Sequence, residues 1–117
     1  MPEETEPEET ELRQRYEDLI DALVGAPGVT PPDRKSGFGR SAVRFDRKIF
    51  VMFVRGRLVL KLPEQRVSEL VADGHGVPFD ANKGVAYREW FSLNPHDDQD
   101  WLKLATEALE FARANAR

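Results

Sequence analysis

Cysteine is absent from the 117 residues of this chain, and histidine is scarce, with only His75 and His96. Without cysteine there can be no disulfide bond, thiolate metal site or cysteine nucleophile, and the composition fits a reducing compartment, so we expect a cytoplasmic location. Two imidazoles far apart in sequence give little support for a histidine acid–base site. We expect His75, which lies between two glycines, to be an exposed turn residue.

Long hydrophobic segments are also absent. The longest strongly apolar run, Ile49 to Val54, is far shorter than the roughly 20 residues of a membrane-spanning helix. The first residues are mostly Glu and Pro and show no signal-peptide pattern. The sequence therefore predicts no membrane partner, a disordered acidic tail over residues 1–10, and a single domain over residues 11–117.

Signatures of catalysis are missing as well. No serine lies in a Gly-x-Ser-x-Gly elbow, and Gly37-x-Gly39 has neither a third glycine nor a following helix. His96-Asp97-Asp98 contains metal-ligand residue types, but it adjoins a predicted helix start, where aspartates act as caps. We therefore predict a protein that is not an enzyme and that has no metal, cofactor or small-molecule substrate.

The pattern of apolar residues predicts an α+β fold. An apolar stripe from Leu12 to Leu23 indicates a first helix capped by Thr10, followed by a loop over residues 25–40. Short strands are predicted at 42–45, 48–54, 57–62 and 85–93 and a short extended piece at 76–80, with helices starting at Pro63 and near Asn94-Pro95. The expected architecture is a two-layer α/β sandwich of order α-β-β-β-α-β-β-α, with helices packed on an antiparallel sheet.

Alternation along the strands assigns side chains to faces. Leu58, Leu60 and Leu62 share one face, whereas Val59 and Lys61 share the other. Aromatic residues fall on both faces of the last strand, and an exposed patch of them would mark a surface for a partner or a second copy. The candidate partner-surface residues are Phe38, Tyr87 and Trp90. The alternative is that the 25–40 loop covers them.

The net charge of −4 conceals a basic middle segment. Residues 33–66 hold ten basic and three acidic side chains, whereas the segments on either side are acidic. Neutralising phosphates requires such cations on one connected surface. The candidate contacts to nucleic acid or another anion are Arg34, Lys35, Arg40, Arg44, Arg47, Lys48, Arg55 and Arg57. The alternative is that they are solvated turn residues.

Several strings resemble a known family. They include Gly37-Phe38-Gly39, Lys48-Ile49-Phe50-Val51, the run from Gly56 to Pro63, and Asp100-Trp101-Leu102. Over residues 37–114 the chain resembles the TfoX N-terminal domain family and its MmcQ/YjbR-type relatives. The resemblance implies a fold like that of secretion chaperones and no established catalytic residues. TfoX proteins regulate bacterial competence, and the relatives carry a DNA-binding label.

Two departures qualify the resemblance. Family members often have Met-Phe-Gly where this chain has Gly37-Phe38-Gly39, and full-length TfoX adds a second domain. The sequence thus predicts a non-enzymatic binding or regulatory module of the TfoX N-terminal type, acting through contacts with a protein partner or a second copy. The alternative is a nucleic-acid-binding protein that uses the basic β-hairpin and loop of residues 34–66.

Overall fold

A computed structural model describes residues 5–32, 42–80 and 86–115 of the chain, with the side chains of 10–32, 42–79 and 89–115. The predicted α+β class and element order are confirmed. A further two-residue strand, β1, lies where only a loop was predicted. The elements in chain order are α1 Thr5–Leu23, β1 Val29–Thr30, β2 Val43–Phe45, β3 Lys48–Val54, β4 Arg57–Lys61, α2 Glu64–Ala72, β5 Gly76–Asp80, β6 Ala86–Leu93 and α3 Trp101–Ala114.

The strands form one sheet in the order β1-β2-β3-β4-β6-β5, and every neighbouring pair is antiparallel. Two tight turns join β2, β3 and β4. Asp46 and Arg47 have φ angles of 50° and 73° in the first turn, and Arg55 and Gly56 have φ angles of 54° and 80° in the second. Two successive positive φ angles give a turn whose twist matches that of paired strands, so both hairpins close tightly.

The helices all pack against one face of the sheet, which we call the inner face. Tyr16 of α1 stacks on Phe53 of β3 with ring centroids 5.0 Å apart, and Leu104 of α3 is fully buried in the same apolar cluster. The prediction that Leu58, Leu60 and Leu62 share one face is confirmed, because all three belong to that cluster. The result is a two-layer structure with a single core between sheet and helices.

A bulge in β3 changes the simple alternation of its side chains. Val43 pairs with Val51 and Arg44 pairs with Ile49, so Phe50 is an extra residue opposite β2. At such a bulge, consecutive side chains can turn toward the same face. Phe50 and Val51 are accordingly both buried in the inner core, with 1% and 0% of their surface exposed.

The first helix starts earlier than predicted. It begins at Thr5, so the prediction that Thr10 is its N-cap is wrong, and the predicted tail over residues 1–10 overlaps the helix. Carboxylates near a helix N-terminus favour the helix dipole, and this sequence has Glu6, Glu8 and Glu9 there. Proline is tolerated in a first helical turn, so Pro7 is compatible with the earlier start.

The last helix starts later than predicted. α3 begins at Trp101, not near Asn94-Pro95, and Asp100 is its N-cap. The Asp100 carboxylate accepts hydrogen bonds from the backbone N–H groups of Leu102 and Lys103, at 3.0 and 3.2 Å. Asp97 therefore lies in a loop, residues 94–100, where a tertiary contact holds it.

None of the three helices, over the ranges described, has the length and hydropathy needed to cross a membrane. The longest, α1, carries seven acidic and two basic residues.

Candidate functional site

The face of the sheet that points away from the helices is the candidate site, and we call it the outer face. Strand pairing places Val77 opposite Ser92, Ser92 opposite Val59, and Val59 opposite Met52, so these four residues form one row across four strands. Among the described elements, no helix packs on this face. The described residues of this face include Arg44, Met52, Val54, Arg57, Val59, Lys61, Val77, Trp90 and Ser92.

Apolar side chains dominate the centre of the outer face. Val59 is fully buried within it, whereas Val77 has 50% of its surface exposed. Met52 and Trp90 are half-buried, and Trp90 lies opposite Lys61 on the neighbouring strand. The predicted partner-surface residue Trp90 therefore lies beside an apolar row that opens to solvent at its β5 end.

Arg57 is fixed in place across this row. Its Nε donates to the Ser92 hydroxyl oxygen at 2.7 Å, and its Nη2 donates to the Ser92 carbonyl oxygen at 3.3 Å and to Asn94 Oδ1 at 3.1 Å. Nη1 has no hydrogen-bond partner among the described residues. The guanidinium is thus held in one orientation with one nitrogen left to donate outward.

The other predicted cationic contacts do not converge with Arg57 on one surface. Arg47 and Lys48 are exposed at one end of β3, and Arg55 is exposed at the other, roughly 20 Å away for a strand of this length. Arg44 shares the outer face with Arg57 and is half-buried. The predicted residues Arg34, Lys35, Phe38 and Arg40 lie outside the described part of the chain, as does the side chain of Tyr87 in β6.

One cation of the basic segment joins two helices. Arg66 of α2 donates from Nε to Glu107 Oε1 of α3 at 2.9 Å and from Nη2 to Glu107 Oε2 at 3.3 Å. This hydrogen bond with Glu107, more than any other contact, holds the pKa of Arg66 above its ordinary value. Arg66 therefore connects α2 to α3 and is not part of the outer face.

A histidine–aspartate pair that the sequence did not predict lies near the end of β6. Nδ1 of His75 is 2.9 and 3.1 Å from the two carboxylate oxygens of Asp97, and the Gln99 amide nitrogen is 3.3 Å from His75 Nε2. The side chains of His75 and Asp97 are only 25% and 12% exposed. His75 lies in the turn between α2 and β5 as predicted, but the prediction that it is exposed is wrong, because the loop over residues 94–100 folds back onto it.

Backbone and side-chain hydrogen bonds connect this pair to both layers of the fold. The Asn94 N–H donates to the His75 carbonyl oxygen at 2.9 Å, and the Asn94 side chain accepts from Arg57 on the outer face. Arg15 of α1 donates to the Gln99 carbonyl oxygen at 3.3 Å and lies 4.4 Å from the centre of the Trp101 ring. The 94–100 loop is therefore held between α1 and the sheet.

A cleft of about 530 Å³ lies beside the pair and is lined by Glu11, Leu12, Arg15, Pro95, His96 and Asp97. A histidine–aspartate pair does nucleophilic chemistry when it activates an adjacent hydroxyl or thiol, and none of these six residues supplies one. No cluster of three His, Asp or Glu suited to a metal ion occurs in the described ranges. We interpret His75 and Asp97 as a structural bridge.

This interpretation predicts a measurable coupling between His75 and Asp97. In a double-mutant cycle with His75→Ala and Asp97→Ala, we expect a coupling of about 1 kcal/mol in the free energy of unfolding, because a charge-assisted hydrogen bond is lost. Urea denaturation measures it. Asp98→Ala, at the exposed neighbouring position, is the matched control and should change stability by less than about 0.5 kcal/mol. Additive effects of His75→Ala and Asp97→Ala would show that the pair is not a bridge.

A second cleft, of about 280 Å³, lies where the β2–β3 hairpin meets α3. Its floor includes Phe50 and Phe111, and its lining includes Lys48, Lys61 and Glu89. Because both signs of charge occur around it, a ligand with net charge gains little there. Lys61, the last residue of β4, lies where the outer face ends and this cleft begins.

Comparison of the chain with protein-family models, curated proteins and solved structures finds no match. The similarity to TfoX N-terminal domains therefore stays a prediction from the sequence strings. Any function must be inferred from the fold and from the outer face described above.

Proposed function

We propose that this chain is a non-enzymatic binding module of the TfoX N-terminal type, with a regulatory role in the cytoplasm, that docks a partner protein on its outer face. The observation that carries the proposal is the apolar surface that Val77, Met52 and Trp90 leave accessible around the fully buried Val59, on the face opposite the helices. Val77 is half exposed in a position fixed by strand pairing. Apolar surface of this kind typically marks an interaction site.

The edges of the sheet favour docking on the face over addition of a partner strand. The edge strand β5 contains Pro78, which has no N–H to donate to a partner. The opposite edge, β1, has only two residues and is followed by Pro31 and Pro32. Short strands and prolines at edges discourage pairing with another chain, so the partner contacts side chains of the outer face.

A photo-crosslinking experiment tests the proposal. A crosslinkable residue at position 77 should yield an adduct with one partner protein in the producing cells, and Val77→Asp should weaken binding of that purified partner at least tenfold, about 1.4 kcal/mol. Leu102, on α3, is the matched control because it is also apolar and 46% exposed, but on the helical layer. Equal loss of binding for Leu102→Asp, or no loss for Val77→Asp, would contradict docking on the outer face.

The alternative function, binding of nucleic acid by the basic hairpins and loop of residues 34–66, draws on one observation. Trp90 lies opposite Lys61, and an aromatic ring beside a cation can stack a base and neutralise a phosphate. The separation of Arg47 and Arg55 at opposite ends of β3 does not favour it. Binding of this kind would weaken steeply as salt is raised.

A further inference from the structure

We infer that the segment of the partner that covers the outer face carries carboxylates next to apolar side chains. The inference rests on the proposed function and adds the chemistry of the partner. It comes from the charges that the strands place around the apolar row.

All the described charged residues on the outer face have the same sign. They are Arg44 of β2 together with Arg57 and Lys61 of β4, and no described acidic side chain lies among them. In a protein with a net charge of −4, a face whose described charges are all cationic is a local exception. A partner segment with negative charge is therefore complementary to this face.

The cations lie on both sides of the apolar row. Arg57 and Lys61 are each two residues from Val59 along β4, which places them roughly 7 Å to either side of the row. A segment that lays apolar side chains on Val77 and Met52, at the two ends of the row, would bring its flanking side chains toward these two cations. Carboxylates at those flanks would form ion pairs while the apolar groups are removed from water.

The fixed orientation of Arg57 strengthens this match. Its bonds to Ser92 and Asn94 have already restricted the side chain, so little further entropy is lost when Nη1 donates to a carboxylate. Ser92 is 5% exposed, because it lies beneath this guanidinium in the row. The outer face therefore offers one pre-oriented cation in addition to two half-buried ones.

A protein segment fits this face better than a nucleic acid. The row is mainly aliphatic, and aliphatic side chains do not provide the aromatic surface on which bases stack.

The test uses defined probes with the full chain. The first probe is a short synthetic peptide of Leu, Asp and Ser; the second has Lys in place of Asp, and the third is an oligothymidylate of similar length. We expect the acidic peptide alone to shift backbone NMR signals of β3, β4 and β6. We also expect Arg44→Glu and Lys61→Glu each to weaken its binding about tenfold, as for loss of one favourable charge pair.

Lys103→Glu is the matched control, because it makes the same change of charge at an exposed position on α3, and it should leave the affinity unchanged. Equal binding of the acidic and basic peptides would overturn the inference, while an adduct at position 77 would leave the proposed function standing. Tighter binding of the oligothymidylate, lost in Lys61→Glu, would overturn both in favour of nucleic acid. Dispersed NMR spectra show that each variant is folded.

Discussion

Replacing Leu60 by alanine is expected to lower the free energy of unfolding by about 2–5 kcal/mol. Leu60 is fully buried on the inner face, and strand pairing places it between Val51 and Phe91. Those neighbours belong to strands held on both sides, so the structure can close little of the cavity left by the missing side-chain atoms. Urea denaturation followed by circular dichroism measures the loss.

Val77→Ala provides the matched control for Leu60→Ala. Val77 has half of its surface exposed on the outer face, so removing two methyl groups should change stability by less than about 0.5 kcal/mol. The difference between the two losses in the free energy of unfolding measures how much more tightly the inner face is packed than the outer face. Equal losses would mean that the outer face is packed as tightly as the core, which would remove the basis for a docking surface there.

Gly76→Ala is expected to lower the free energy of unfolding by about 3 kcal/mol, near the upper end for an overpacked site. Gly76 is buried at the start of β5, and a Cβ there would overlap the Ser92 carbonyl oxygen and lie 2.7 Å from the Phe91 ring. The carbonyl belongs to the paired strand β6 and cannot move away without breaking the pairing. Arg57 also donates to that oxygen, so the pre-oriented cation would be disturbed as well.

Gly25→Ala is the control for the Gly76 variant. A Cβ at Gly25 would have no heavy atom within 4 Å, so the substitution should change stability by less than about 0.5 kcal/mol. Thermal unfolding of the two variants and the unmodified chain measures the two changes in stability. If Gly76→Ala were as stable as Gly25→Ala, this would contradict the close approach of Gly76 in β5 to Phe91 and Ser92 in β6.

Local patterns were sufficient to predict most of the strands and their faces. Alternation correctly placed Leu58 and Leu60 on one face and Val59 on the other, because β4 has a regular neighbour on each side. Gly56 correctly indicated a tight turn, since its positive φ is easily adopted by glycine. These features depend on residues close together in the sequence.

Features that depend on distant residues were not predictable in this way. The start of α3 was placed too early because Asn94, Pro95 and Asp97 resemble a helix start, whereas the contact of Asp97 with His75, 22 residues away, holds them in a loop. The bulge at Phe50 depends on pairing with β2, and no pattern in β3 itself reveals it.

The candidate site was predictable only in part. Trp90 was recognised because aromatic residues alternate between both faces of the last strand, and the basic segment was recognised from its charge. The fixation of Arg57 by Ser92 and Asn94 could not be foreseen, because it requires β6 to lie between β4 and β5. The exposed position of Val77 could not be foreseen for the same reason, since the strand order places it at the open end of the apolar row.

The prolines at the two borders of the sheet also bear on how the protein behaves when concentrated. Backbone hydrogen bonding from one copy to the next would extend the strands into a fibre, and Pro78 on one side and Pro31 and Pro32 on the other interrupt it. Ordered aggregation through the sheet edges, where β proteins are most prone to it, is therefore obstructed on both sides.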